Sequence, residues 1–118
     1  MGARILVAAD APMVVGILGH KLRREGHDVV AACGRDAARR ALEASAFDCS
    51  VYDADLLEGR GMDAAPPCPW LAIVDGRDQS AALGAMHAGA AGIVATPFKP
   101  TDVAAQVTAL LSMLRVLT

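Results

Sequence analysis

A chain of 118 residues with a net charge of −2 holds one domain's worth of sequence, enough for an α/β core to stand alone. Aromatic residues at 3% and no basic excess supply neither base-stacking platforms nor a phosphate-tracking surface, which argues against direct nucleic-acid binding. Hydrophobic residues reach 54%, yet no apolar stretch approaches the ~18 residues that cross a bilayer, and Met1-Gly2-Ala3-Arg4 leads straight into an apolar run instead of a signal peptide. A soluble cytoplasmic protein without a membrane partner is expected.

The first apolar run, Ile5-Leu6-Val7-Ala8-Ala9, reads as a buried strand that ends on Asp10. Asp10-Ala11-Pro12 reads as a helix start, and Val14, Ile17, Leu18 and Leu22 then fall at helical spacing over residues 13–25, with Gly26 as the stop. Asp10 has two readings, cap of that helix or metal ligand, and both can hold together. Residues 27–32 form a second, β-branched strand. Over residues 36–45, Ala38, Ala41 and Leu42 share one face and Arg35, Arg39, Arg40 and Glu43 another, the pattern of a short amphipathic helix. The third strand, within Phe47-Asp48-Cys49-Ser50-Val51-Tyr52-Asp53, stops on Asp53.

From residue 57 to 69 the periodicity breaks. Gly59, Gly61, Pro66, Pro67 and Pro69 each oppose helix geometry, which predicts a loop with at most one irregular turn and a sheet face left partly uncovered beside it. Regularity returns with a strand over 70–74 running into Asp75, a helix over 80–88 stopped by Gly89, a strand over 92–95 running into Thr96, and a last helix over 102–117. In that helix Val103, Val107, Leu110, Leu114 and Leu117 make a core-facing stripe. Leu111, Met113 and Val116 are surplus to it, and the surplus points to a homodimer through this helix. Strand and helix alternate throughout, the order of a parallel sheet covered on both faces. Asp10, Asp53, Asp75 and Thr96 are thereby delivered to the carboxyl edge of the sheet, where such folds gather ligands.

Other features read as structure. Cys33, Cys49 and Cys68 are odd in number and form no CxxC pair, so they are expected to be reduced thiols, with only Cys68 accessible. His20, His27 and His87 show no ligand spacing, and Gly59-Arg60-Gly61 completes no phosphate-loop motif. Arg23-Arg24 and Arg39-Arg40 read as solvated helix faces that a partner could engage.

The run from Ile5 through Asp10 to Pro12, the strand that ends on Asp53, and Ala88-Gly89-Ala90-Ala91-Gly92 followed by Thr96-Pro97-Phe98 stand in the order and at the spacing of the receiver domain of bacterial response regulators. The chain resembles that family over essentially its whole length. The resemblance implies one flavodoxin-like, doubly wound α/β domain, a five-stranded parallel sheet of order 2-1-3-4-5, with the third helix shortened or missing here. It also implies phosphoryl transfer from a histidine kinase or phosphotransfer protein to one aspartate, assisted by Mg²⁺. Matched position by position, Asp53 takes the phosphoacceptor place, Asp10 that of the direct metal ligand, and the carbonyl of Asp55 that of the third protein ligand.

Several matched positions depart from the family pattern. The first member of the family's acidic pair is Ala9. The lysine that bonds the phosphoryl oxygen falls on Thr96, while Lys99 reads as part of the loop into the last helix. The switch hydroxyl falls on Val74 and the aromatic switch residue on Ile93. Asp75 stands where a very small residue is preferred, and Asp75-Gly76 reads first as a turn and second as a substitute carboxylate. An added phosphoryl group brings about −1.5 to −2 charge that cations must meet. Weak Mg²⁺ binding and weak or absent phosphorylation of Asp53 are therefore expected. The expectation is a stand-alone, non-enzymatic domain, since no DNA-binding or catalytic segment follows Thr118, which signals through contact with another protein. A flavodoxin-like or cobalamin-type cofactor module shares the sheet order, but Asp10-Ala11-Pro12-Met13 supplies neither a phosphate loop nor the cobalamin histidine. A structural adaptor independent of phosphorylation is the other alternative.

Overall fold

The computed structural model describes residues 2–57 and 65–117, and the side chains up to residue 116. Five strands, β1 (Arg4–Ala9), β2 (Asp28–Cys33), β3 (Cys49–Asp53), β4 (Trp70–Asp75) and β5 (Gly92–Thr96), pair in parallel in the order β2-β1-β3-β4-β5. Among the described residues four helices connect and cover them: α1 (Pro12–Arg24), α2 (Arg35–Ala44), α3 (Gln79–His87) and α4 (Pro100–Leu117). Sheet order and fold class are those expected from the sequence.

The central strands are covered on both faces, which is why they read as continuous apolar runs. Ile5, Val7, Cys49, Val51, Leu71 and Ile73 face α1 and α4, where Val15, Leu18 and Leu22 meet Val103, Val107 and Leu110. Leu6, Ala8, Tyr52, Trp70, Ala72 and Val74 face the other way, toward Ala38 of α2 and Ala85 of α3. Gly26, Gly34 and Gly89 adopt positive φ where the chain turns out of α1, into α2 and out of α3.

Four local expectations change. Asp10 does not cap α1: the N-cap is Ala11, without a side-chain bond, and Pro12 at the first turn leaves fewer N–H groups to satisfy. Between β3 and β4 the described residues hold a 3-10 turn, Ala54–Leu57, and no helix over residues 65–69. The expected loop at residues 59–64, with its Gly59-Arg60-Gly61 run, lies outside the described residues. The described residues of the neighbouring sheet face, Tyr52 and Trp70, are buried at 3% and 2% exposure. Tyr52 and Trp70 pack edge to face, with centroids 6.2 Å apart, over Leu56 from the 3-10 turn. In α4, Leu111 packs half-buried against the core beside Leu114, so only Met113 and Val116 of the expected surplus are exposed, at 59% and 85%. Among the cysteines, Cys33 is exposed, Cys68 half-buried and Cys49 buried, and burial pushes the Cys49 thiol up to about 12. Accessibility thus belongs to Cys33 more than to Cys68, because β2 is an edge strand and Cys33 is its last residue.

Candidate functional site

The ends of β1 and β3 form the acidic edge. β1 and β3 run in register from Ile5 against Cys49 to Ala8 against Tyr52, so one step further the chain brings Ala9 and Asp10 alongside Asp53. Asp53 is half-buried at the end of its strand. One carboxylate oxygen accepts the backbone N–H of Asp55 at 2.9 Å, which bends the chain into the 3-10 turn. Burial raises the Asp53 pKa above the usual carboxylate value; the negative charges of Asp55 and Asp10 push the same way, and the backbone N–H groups of Asp55 and Asp10 draw it partly back. Among the described residues no cation belongs to the groups that move it. Asp10 and Asp55 are exposed, while Ala9, at 0% exposure, points its methyl into the core.

Asp75 is at the same edge but turned to its own neighbour. Its carboxylate accepts the backbone N–H of Arg77 at 2.9 Å and pairs with the guanidinium at 3.1 Å, and these bonds hold its pKa below the ordinary range. The turn reading of Asp75-Gly76 therefore holds. Thr96, the ladder partner of Asp75, is half-buried, and its carbonyl accepts the N–H of Gly76 at 3.0 Å. Val74 is buried among the core residues on the α2 and α3 side, and half-buried Ile93 packs against the same cluster. Lys99 is exposed, and its carbonyl accepts the N–H groups of Asp102 and Val103 as α4 begins, the place expected for a loop residue.

The reading of strand ends passed over one participant, Arg35. β2 ends on Cys33, and Gly34 donates its N–H to the carbonyl of Ala9 at 2.8 Å while the Cys33 thiol reaches the carbonyl of Asp10 at 3.4 Å. These bonds fasten the start of α2 against the acidic edge. From there the Arg35 guanidinium crosses to the 3-10 turn and donates through Nε to the carbonyl of Leu56 at 3.1 Å and through Nη2 to that of Asp55 at 3.5 Å. Asp10, Cys33, Arg35, Asp36 and Arg40 line an open cleft of about 460 Å³ in front of this bridge. The available signal was positional: Gly34-Arg35 follows a strand end at the same sheet edge, yet this residue had been assigned only to a helix face.

Among the described residues no three His, Cys, Asp or Glu side chains converge so as to hold a metal ion. His27 is structural, its Nδ1 accepting the N–H of Ala3 at 3.0 Å, while His20 and His87 are exposed. No described helix is long and apolar enough to cross a membrane.

No family model matches the sequence, and no curated protein matches it. Solved structures do. A CheY-like response regulator receiver domain protein from Methanospirillum hungatei JF-1 superposes with a TM-score of 0.85 at 18% identity, with 100% of each chain covered. This is the receiver fold of response regulators. A receiver domain protein from Clostridium thermocellum gives a TM-score of 0.81 at 20% identity over 98% of this chain and 99% of that one. NtrX from Brucella abortus gives 0.80 at 25% identity over 99% of this chain, which spans 29% of the NtrX chain. On this receiver fold Asp53 ends the third strand and Asp10 follows the first.

Proposed function

We propose that the chain is a receiver-like domain of two-component signalling that works through protein contact, and that its Asp53 accepts a phosphoryl group poorly or not at all. The observation that carries this reading is the charge balance at Asp53: burial and two neighbouring carboxylates raise its pKa, and no cation among the described residues opposes them. Phosphoryl transfer relies on positive charge at the transferring oxygens. Here Thr96, at the place of the family's lysine, brings only a hydroxyl.

A divalent cation would be held by the Asp10 and Asp53 carboxylates. Ala9 adds no donor, and the Asp55 carbonyl is already engaged by Arg35, so the donor set suits only a weakly held ion. A phosphoryl group, if added, would also lack the usual listeners, since Val74 is an apolar core residue and Ile93 carries no ring to reorient. The output then rests on a surface already present in the resting conformation. A histidine kinase, a phosphotransfer protein or another signalling protein is the class of partner. The exposed pair Met113 and Val116 on α4 supports self-association as one form of that contact.

Incubation with Mg²⁺ and acetyl phosphate, followed by intact-mass measurement and amide spectra, tests the reading. The expected result is far less than one phosphoryl group per chain. A stoichiometric mass gain lost in Asp53→Asn, with amide shifts reaching β5 and α4, would overturn it.

A further inference from the structure

The Arg35 guanidinium is bonded to the turn that follows Asp53, and the chain fixes the start of α2 so as to keep it there. Gly34, at φ +91°, makes the turn that starts α2, and its N–H is fixed to the Ala9 carbonyl at 2.8 Å. The guanidinium donates to two successive carbonyls, Leu56 at 3.1 Å and Asp55 at 3.5 Å, which is the forked geometry that arginine offers and lysine does not. Those carbonyls belong to the turn that begins when the Asp55 N–H bonds to Asp53. One side chain thus joins the start of α2 to the turn that carries the candidate site.

We propose that Arg35 is a positioning residue of the acidic edge: it fixes the turn that follows Asp53 and occupies, with its guanidinium, the Asp55 carbonyl that a divalent cation would need. This rests on the reading of Asp10, Asp53 and Asp55 as the receiver-type site. Its consequence is an inverted metal response. Removing Arg35 uncovers an oxygen donor and withdraws a repelling positive charge, so Mg²⁺ binds more tightly without it. A unit charge facing a divalent ion across a few ångströms of water-like dielectric, partly screened by salt, corresponds to about a three- to tenfold change in affinity at low ionic strength. The turn itself loosens, which the amide exchange of residues 54–57 reports separately from any metal.

The test is a titration of the intact chain with Mg²⁺ alone, followed by amide NMR, for wild type, Arg35→Gln, Arg35→Lys and, as a control, Arg39→Gln. Arg39 lies on the same helix, and its guanidinium pairs with the Asp36 carboxylate at 3.7 Å. Arg35→Gln is expected to bind Mg²⁺ about three- to tenfold more tightly than wild type, with shifts centred on Asp10, Asp53 and Asp55 and faster exchange in the turn. Arg35→Lys keeps the charge and loses the fork, and should fall between the two. Arg39→Gln should match wild type. Equal Mg²⁺ affinity in wild type and both Arg35 variants would overturn the proposal, as would an equal gain in Arg39→Gln. That failure would be distinct from failure of the signalling reading, which the phosphoryl-donor assay decides on wild type alone. If Arg35→Gln does not fold, Arg35→Lys against wild type still decides.

Discussion

Gly76 follows β4 at the carboxyl edge, and adding a single methyl there should cost stability. An ideal Cβ at this position falls 2.7 Å from the carbonyl oxygen of Thr96, closer than real Cβ contacts allow, and the atom it meets is backbone. Neither side can yield freely, because the Gly76 N–H is bonded to that same carbonyl at 3.0 Å and Asp75 and Thr96 are ladder partners. Forcing a backbone shift of this kind costs about 1–3 kcal/mol. Against it stands the usual gain of about 0.4–1 kcal/mol when alanine restricts the unfolded chain. The net expectation for Gly76→Ala is a loss of about 1–2 kcal/mol. Urea unfolding followed by the fluorescence of Trp70, the chain's single tryptophan and buried at 2% exposure, reads this directly. With a slope of about 2 kcal/mol per molar, the midpoint should fall by roughly half to one molar at unchanged slope. Gly84→Ala is the control: a Cβ there meets nothing within 4 Å, and in mid-helix the change should stabilise by about 0.5–1 kcal/mol. Equal or greater stability of Gly76→Ala would refute the argument that this turn is fastened to Thr96.

Other outcomes follow from the same geometry. The Asp53 pKa is raised in the folded state, so the contribution of this group is present below the unfolded value of 3.8 and is lost as pH rises through the folded value. Asp53→Asn, which cannot ionise, should therefore gain stability relative to wild type as urea midpoints are compared from acid toward neutral pH, and a constant difference would contradict the burial argument. Asp78→Ala removes the carboxylate that accepts the Ala81 N–H at 3.0 Å at the start of α3, and should cost about 0.5–2 kcal/mol with faster amide exchange over residues 79–87. Exchange unchanged there would show that the cap is not what holds the helix start. Light scattering at high concentration should show a dimer that Val116→Glu dissociates, and a wild-type monomer would remove α4 as a self-association surface.

What could be read from the sequence depended on how local its cause was. Strand identity was legible because the central strands are buried on both faces and run as unbroken apolar stretches, and Gly26 and Gly89 mark helix ends by their positive φ, whereas the order of the strands in the sheet came with the resemblance to receiver domains. The convergence of Asp10 and Asp53 followed from strand ends alone. The cap role of Asp10 did not survive, because composition cannot show whether a carboxylate turns toward its helix or away from it. The cover of the sheet face beside the 57–69 stretch is read only where residues are described, and there the Tyr52 and Trp70 rings pack against each other in the core. Arg77 and Arg35 were invisible as site residues, since the first acts through a turn two residues long and the second reaches 20 and 21 positions along the chain to backbone oxygens that no pattern marks.

Among the described residues Asp53 has no cation at its carboxylate, where phosphoryl transfer needs one, and supplying it at Thr96 is the most direct measurement. Wild type, Thr96→Lys and the double variant Thr96→Lys with Asp53→Asn are incubated side by side with Mg²⁺ and acetyl phosphate, and intact mass is followed over time. The account expects wild type to stay essentially unmodified, Thr96→Lys to gain a phosphoryl group, and the double variant to lose that gain. Wild type that is modified as fully and as fast as Thr96→Lys would contradict it.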